Sequence, residues 1–128
     1  MHRLLIVDDH EVVRLGVRCL VDMNPKWSVC GEASNGKEAL EQIAELMPDA
    51  VILDLTMPVM NGIEAAEEIR RIAPSIKIVL FSMHDMPSTA RMLHANAFVA
   101  KSSAARDLPV ALERVLNTPP DLRFESSD

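Results

Sequence analysis

Short apolar runs alternate with stretches of helical periodicity along almost the whole chain, and that alternation most narrows what it can fold into. The runs are Leu4–Val7, Trp27–Gly31, Ala50–Leu53, Ile76–Phe81 and Ala97–Ala100. Three of them carry no polar alternation, as expected of parallel strands covered on both faces. Between them lie five segments with a helical period. His10–Val21 places Val13, Gly16, Val17, Leu20 and Val21 on one stripe, and Lys37–Met47 repeats Leu40, Ile43, Ala44 and Met47 before Pro48. Ile63–Ala73 carries Ala66, Ile69, Ile72 and Ala73 and stops at Pro74. Pro87–Leu93 is short and weakly periodic, and Leu108–Leu116 aligns Leu108, Leu112, Val115 and Leu116.

Strict alternation of this kind predicts an α/β protein, (βα)5, with a parallel sheet and right-handed crossovers that place helices on both faces. With five strands in one domain, the expected arrangement is the flavodoxin-like doubly wound sheet in strand order 2-1-3-4-5. The domain should span residues 1–117. Residues 118–128 follow a proline pair, lack periodicity and read as a linker or tail. Pro109 conflicts with a helix starting near Ala104, because its missing N–H would be needed by then. The expectation is therefore a later start, with Asp107 as N-cap and Leu108 and Pro109 in the first turn.

The chain of 128 residues is long enough to bury a core, and with only 3% aromatic residues that core must be aliphatic. Its net charge of -6 argues against direct nucleic-acid binding by this segment, which would need Lys and Arg to meet phosphates. The same charge predicts attraction to cations. No apolar stretch is long enough for a membrane span, and Asp8 and Asp9 interrupt the only N-terminal apolar run, so no signal peptide is expected. Cys19 and Cys30 fall in apolar-periodic segments and read as reduced, packed thiols of a cytoplasmic protein. Neither GxGxxG nor GxxxxGK[ST] occurs, which removes the usual nucleotide-binding signatures.

In a doubly wound sheet, ligands bind beyond the carboxyl ends of the strands where the strand order reverses. The first strand runs into Asp8-Asp9, the third into Asp54, the fourth into Ser82 and the fifth into Lys101. The first and third strands are neighbours in the expected order, so three carboxylates should converge beside a hydroxyl and an ammonium. Taken singly these residues say little: Asp8 and Asp9 could cap the following helix, and Ser and Lys often follow strands. Asp54 is harder to dismiss, since nothing structural calls for a carboxylate after Val51-Ile52-Leu53. Clustered carboxylates repel, and relief comes from Lys101 or from a hard divalent cation such as Mg²⁺, which takes oxygen ligands. His10 and His84 lie nearby and read as loop and helix-start residues rather than ligands.

On LLIVDDH at 4–10, DLTMPVMNG at 54–62, FSMHD at 81–85 and FVAK at 98–101, the chain resembles the receiver domain of two-component response regulators. The wording LIVDDHEVVRLGV is most similar to the NarL/LuxR-type subfamily, whose members usually carry a C-terminal helix-turn-helix. The resemblance implies that Asp54 is the phosphoacceptor for a sensor histidine kinase. It further implies that Asp9 and Asp54 ligate Mg²⁺ directly with the Thr56 backbone carbonyl, while Asp8 acts mainly through water. Ser82 and Lys101 would contact the phosphoryl group, and Phe98 takes the place of the aromatic switch residue. The resemblance also implies a regulatory phosphoacceptor rather than an enzyme, one that catalyses only its own phosphorylation and dephosphorylation. Residues 118–128 would then lead to a DNA-binding output domain, and phosphorylation could promote a homodimer. His94 and Ala97 stand where the subfamily often has glycine, and Pro109 is unusual there.

Two other readings compete. A stand-alone receiver would act as a phosphate carrier or interaction module with no output domain. A Mg²⁺-dependent phosphatase on a similar fold would need an acid two residues after the nucleophile, where this chain has Thr56.

Overall fold

The run AVILD forms β3 (Ala50–Asp54), and every residue of it, the aspartate included, is buried. It lies at the centre of a five-stranded parallel sheet. The computed structural model describes residues 1–57, 59–83 and 95–117. Around β3 the described elements are β1 (His2–Val7), α1 (Glu11–Asp22), β2 (Trp27–Ala33), α2 (Gly36–Leu46), α3 (Gly62–Ile72), β4 (Lys77–Ser82), β5 (Ala97–Ala100) and α4 (Ala104–Leu116). The strands lie in the order β2-β1-β3-β4-β5, as the alternation predicted. The expected helix at Pro87–Leu93 falls outside the described residues, as do His84, His94 and the tail at 118–128.

The two faces of the sheet follow from the two-residue repeat of a strand. Leu5, Val7, Val51, Leu53, Ile78 and Leu80 point to one side, where Ala39 and Ile43 of α2 and Ala65, Ala66 and Ile69 of α3 cover them. Leu4, Ile6, Ala50, Ile52, Val79 and Phe81 point to the other, against Val17 and Val21 of α1 and Leu108, Leu112 and Val115 of α4. The central strands are thus sandwiched and need apolar residues at every position. Each buried Leu, Ile or Val contributes about 1.5–3 kcal/mol relative to exposure. At the lower end of the sheet, Arg3 N–H donates to Asp49 Oδ2 at 2.7 Å and Lys77 N–H to the Asp49 carbonyl at 3.1 Å, which ties the starts of three strands together.

The helix ends carry their own signals. Asn35 caps α2 by accepting from Glu38 N–H at 2.9 Å. Asn61 and Glu64 form a reciprocal capping box on α3, with Asn61 accepting from Glu64 N–H at 2.9 Å and Glu64 from Asn61 N–H at 3.2 Å. Beyond α3, Arg70 donates to the carbonyls of Pro74 and Ile76 and to the Asn96 side chain, which also accepts from Ile78 N–H. That network fixes the turn into β4.

Three expectations need correction. The last helix starts at Ala104, after a 3-10 turn at Lys101–Ser103, so Asp107 is not its N-cap. Pro109 lies inside this helix. The carbonyl it leaves without its usual i+4 donor belongs to Ala105, an exposed residue. Asp107 still sits in the first turn, where its charge favours the helix dipole. The stripes are also narrower than periodicity alone suggests. Gly16, Ala44, Met47 and Ile72 are exposed, whereas Ala39 and Ala65, absent from the predicted stripes, are fully buried. Small residues on the inward face let α2 and α3 approach the sheet closely.

A strain point sits on the loop between β3 and α3. Val59 has φ 69°, the left-handed region, which a β-branched residue enters at a cost of about 1–2 kcal/mol. Its side chain is 77% exposed, so packing offers little in return. Val59→Gly is expected to raise stability by about 1 kcal/mol, after allowing for glycine's freedom in the unfolded chain. A lower denaturation midpoint in the glycine variant would contradict this.

Candidate functional site

The strand order reverses between β1 and β3, which are neighbours while their connections run to opposite sides. Register pairs Val7 with Leu53, so the residues that follow, Asp8 and Asp54, leave the sheet side by side. Asp54 pairs in register with Phe81 of β4, next to Ser82, and Ser82 pairs with Ala100 of β5, next to Lys101. One end of the sheet therefore collects residues from four strands that are far apart in sequence.

The carboxylates are buried and share one cation. Lys101 Nζ lies 2.6 Å from Asp8 Oδ2 and 3.4 Å from Asp54 Oδ1. Asp8 is 1% exposed and Asp54 4%, and Ser82 is buried beside them. The lysine also sits 5.6 Å from the centre of the Phe81 ring, whose negative face favours an ammonium. Burial pushes the Asp54 carboxyl above the usual aspartate range and the neighbouring Asp8 charge adds to the effect, while Lys101 opposes both. Thr56 N–H approaches Asp54 Oδ1 at 3.4 Å.

The raised value has a stability consequence. Above the unfolded-state value of 3.8, the native protein holds its Asp54 proton more readily than the unfolded chain does. Stability of the metal-free protein therefore falls as pH rises from there through the raised native value. Asp54→Asn removes the charge and should stabilise metal-free protein at neutral pH by on the order of 1–2 kcal/mol, a gain of about 3–8 °C in melting temperature. The gain should vanish below about pH 4, where both states carry a neutral aspartic acid. Melting curves in chelator at several pH values check this, and a variant less stable than the parent at pH 7 would refute it.

The loop after β1 is held by residues that the sequence reading did not single out. Asp8 N–H donates to the Ala33 carbonyl at 3.0 Å, and Arg14 Nη1 donates to the Asp8 carbonyl at 2.7 Å. Arg14 and Arg18, one turn apart on α1, both bind the Glu32 carboxylate on β2. Those hydrogen bonds, the one from Arg18 foremost, hold the Glu32 carboxyl below its usual range. The spacing of the two arginines was visible, but their shared partner on another strand was not. His10, expected at a loop or helix start, is the N-cap residue of α1, and its ring turns back so that Nδ1 lies 3.3 Å from Asp8 Oδ1 and 3.0 Å from Asp9 Oδ1.

Gly62 closes the other wall. Its N–H donates to the Leu55 carbonyl at 2.9 Å, which folds the loop after Asp54 back onto α3. A methyl group in its place would run into the Asp54 carbonyl oxygen and lie 2.6 Å from Leu55 Cα. Gly36 N–H likewise donates to the Met60 carbonyl and fixes the far side of the same loop.

A hard divalent cation suits this donor set. The oxygens are carboxylates, and Asp9 Oδ1 is buried without a hydrogen-bond partner among the described residues. Phe98 is half-buried, packs on the α2/α3 side of the sheet, and pairs in register with Leu80, two positions before Ser82. Of the predicted residues, then, Asp8, Asp54 and Lys101 are in direct contact, Asp9 joins them through the His10 ring, and Ser82 lies at the neighbouring strand end. For Thr56 the contact seen is through its amide.

The sequence matches the family model of the response regulator receiver domain over residues 4–113. It is 39% identical over 114 residues to the nitrate/nitrite response regulator protein NarL of Escherichia coli, covering 87% of this chain and 53% of that protein. Among solved structures, a two-component response regulator of the LuxR family from Aurantimonas superposes with a TM-score of 0.87 at 36% identity, covering 100% of this chain and 91% of that one. A DNA-binding response regulator of the LuxR family from Staphylococcus aureus superposes with a TM-score of 0.85 at 28% identity, covering 91% and 100%. The chain spans about half the length of the curated relatives it matches.

Proposed function

Because the chain belongs to the response regulator receiver domain family, with regulators of the NarL and LuxR type among its relatives, we propose that Asp54 accepts a phosphoryl group from a sensor histidine kinase and switches an output. The observation that carries this reading is the environment of Asp54. It is a buried carboxylate at the reversal point of the sheet, held 3.4 Å from a lysine that a second carboxylate also grips.

Transfer breaks the N–P bond of the phosphohistidine and forms an O–P bond to a carboxylate oxygen of Asp54, the kinase histidine leaving with the electron pair of the broken bond. Such transfer needs positioning and charge neutralisation more than covalent assistance. Lys101 favours the ionised form of Asp54 against its burial and then meets the incoming phosphoryl oxygens as a point charge. Ser82 offers its hydroxyl to one of those oxygens. Asp8, Asp9 and Asp54, with the Thr56 carbonyl, would hold Mg²⁺, which when bound neutralises the carboxylates and the transferring group. The product adds charge and acceptor oxygens at Asp54, and drawing Ser82 toward them would move the strand end next to Phe98. The domain is regulatory, and the only reactions it promotes are its own phosphorylation and dephosphorylation.

Transcriptional control through a separate DNA-binding domain is the output this reading favours, supported by the LuxR-family neighbour described as DNA-binding. With a net charge of -6, this segment is not the part that binds nucleic acid. A cytoplasmic setting and phosphorylation-promoted pairing of two copies belong to the same reading. Among the described residues no helix is long and apolar enough to cross a membrane.

Incubating the protein with a small phosphodonor and Mg²⁺, then measuring intact mass, should give a single phosphoryl adduct. Chelating the metal first should suppress it by at least about tenfold, since the carboxylates then repel the donor. Adduct formation indifferent to chelator would contradict the metal-assisted reading.

A further inference from the structure

We propose that Arg14 is a positioning residue for the Mg²⁺ site, acting through the peptide that joins Asp8 to Asp9. The inference rests on the receiver reading, in which Asp9 is a direct ligand of the ion. Little holds the Asp9 side chain itself. Its Oδ1 is buried without a hydrogen-bond partner among the described residues, and the His10 ring 3.0 Å from it is mostly exposed. The aim of that carboxylate therefore depends on the main chain that carries it. A peptide unit is planar, so the direction of the Asp8 carbonyl fixes where the nitrogen and Cα of Asp9 lie. Arg14 Nη1 donates to that carbonyl at 2.7 Å, while Asp8 N–H donates to the Ala33 carbonyl at 3.0 Å. Both ends of the Asp8 backbone are thus pinned, one by β2 and one by Arg14.

Arg14 is held in turn. Its Nε donates to Glu32 Oε1 at 2.9 Å, and Arg18 Nε donates to the other oxygen, Glu32 Oε2, at 2.9 Å. The Gln42 side chain donates to the Glu32 carbonyl, which anchors this residue of β2 from α2 as well. A guanidinium is flat with donors at fixed angles, so one bond to Glu32 and one to Asp8 together define its plane. A lysine ammonium could keep the charge but not this two-ended geometry. Charge alone would act in the opposite direction, because a cation beside an acidic cleft weakens its attraction for Mg²⁺. Mg²⁺ demands near-octahedral geometry with bonds of about 2.0–2.1 Å, so a ligand turned slightly out of place costs affinity. A positioning role and an electrostatic one therefore predict opposite signs when Arg14 is neutralised.

Calorimetric titration of the metal-free protein with Mg²⁺ alone tests the proposal, with melting curves of each variant as a check on folding. Arg14→Gln and Arg14→Lys should each weaken Mg²⁺ binding by about 10–100-fold, the scale of losing a partner that orients a ligand. Glu32→Ala frees the guanidinium while leaving Arg14 and the acidic pair intact, and it should weaken binding by about tenfold. It carries the same test should the Arg14 variants fail to fold. Arg18→Gln leaves both Arg14 bonds in place and should change Mg²⁺ affinity by less than about threefold. A lower melting temperature with Mg²⁺ affinity unchanged in the Arg14 and Glu32 variants, as a merely structural network would give, overturns the proposal. Tighter binding in Arg14→Gln with parent-like binding in Arg14→Lys overturns it too, because Arg14 then acts as a charge. Failure of the receiver reading is separate: it would show as no Mg²⁺-dependent adduct on the parent protein, whatever the affinities of the variants.

Discussion

Asp54→Asn is expected to lower the phosphoryl adduct formed with a small phosphodonor and Mg²⁺ by more than about two orders of magnitude, the scale of deleting a nucleophile rather than a contact. The amide keeps the size of the side chain, and the strand beneath it, with Val51, Ile52 and Leu53 fully buried, has no reason to move. What is lost is a carboxylate oxygen able to form the bond to phosphorus. The same substitution should stabilise the metal-free fold, because the parent side chain carries a buried charge next to Asp8. Opposite signs in the two measurements distinguish a functional carboxylate from a structural one. A structural aspartate would lose stability on substitution, and an adduct equal to that of the parent would move the phosphoacceptor elsewhere.

Gly62→Ala should be the most damaging small change in the molecule. The added carbon meets backbone atoms of Asp54 and Leu55 that have no rotamer to escape into. Either α3 or the end of β3 must shift, and Gly62 N–H would lose its bond to the Leu55 carbonyl. Overpacking of this kind costs about 3 kcal/mol, a fall of roughly 10–15 °C in melting temperature for a domain of this length. Adduct formation should fall as well, since misplacing a nucleophile by an ångström is enough to slow transfer by about a hundredfold. Gly16→Ala is the control. A carbon there meets nothing within 4 Å on the exposed side of α1, and the change should raise stability by about 1 kcal/mol. Equal effects of the two substitutions would show that close approach at Gly62 is not what the loop requires.

Much of this architecture is legible in single residues. Ala50–Leu53 could only be a strand covered on both sides, and Pro48 and Pro74 mark where α2 and α3 must already have ended. Asp54 stood out because an apolar run has no use for it. Helix α4 starts earlier than the rule about Pro109 predicts, because the residue whose carbonyl loses its donor, Ala105, lies on the exposed side. The inward faces of α2 and α3 were misjudged for another reason. Periodicity weights large apolar residues, while close packing on the sheet selected Ala39, Ala65 and Ala66.

The site divides the same way. Asp8, Asp9, Asp54, Ser82 and Lys101 stand out in the sequence because each ends, interrupts or follows a strand, and strand ends are set by local pattern. Their convergence depended on the strand order, which the strict alternation of elements was enough to imply. Tertiary structure alone decided which groups touch: that Lys101 bridges Asp8 and Asp54, that Arg14 and Arg18 share Glu32, and that the His10 ring turns back toward two carboxylates. Periodicity and composition are properties of neighbours along the chain, and they determine where elements lie and which faces are apolar. Distances and charge pairing depend on side chains brought together from separate strands, and no local pattern encodes them.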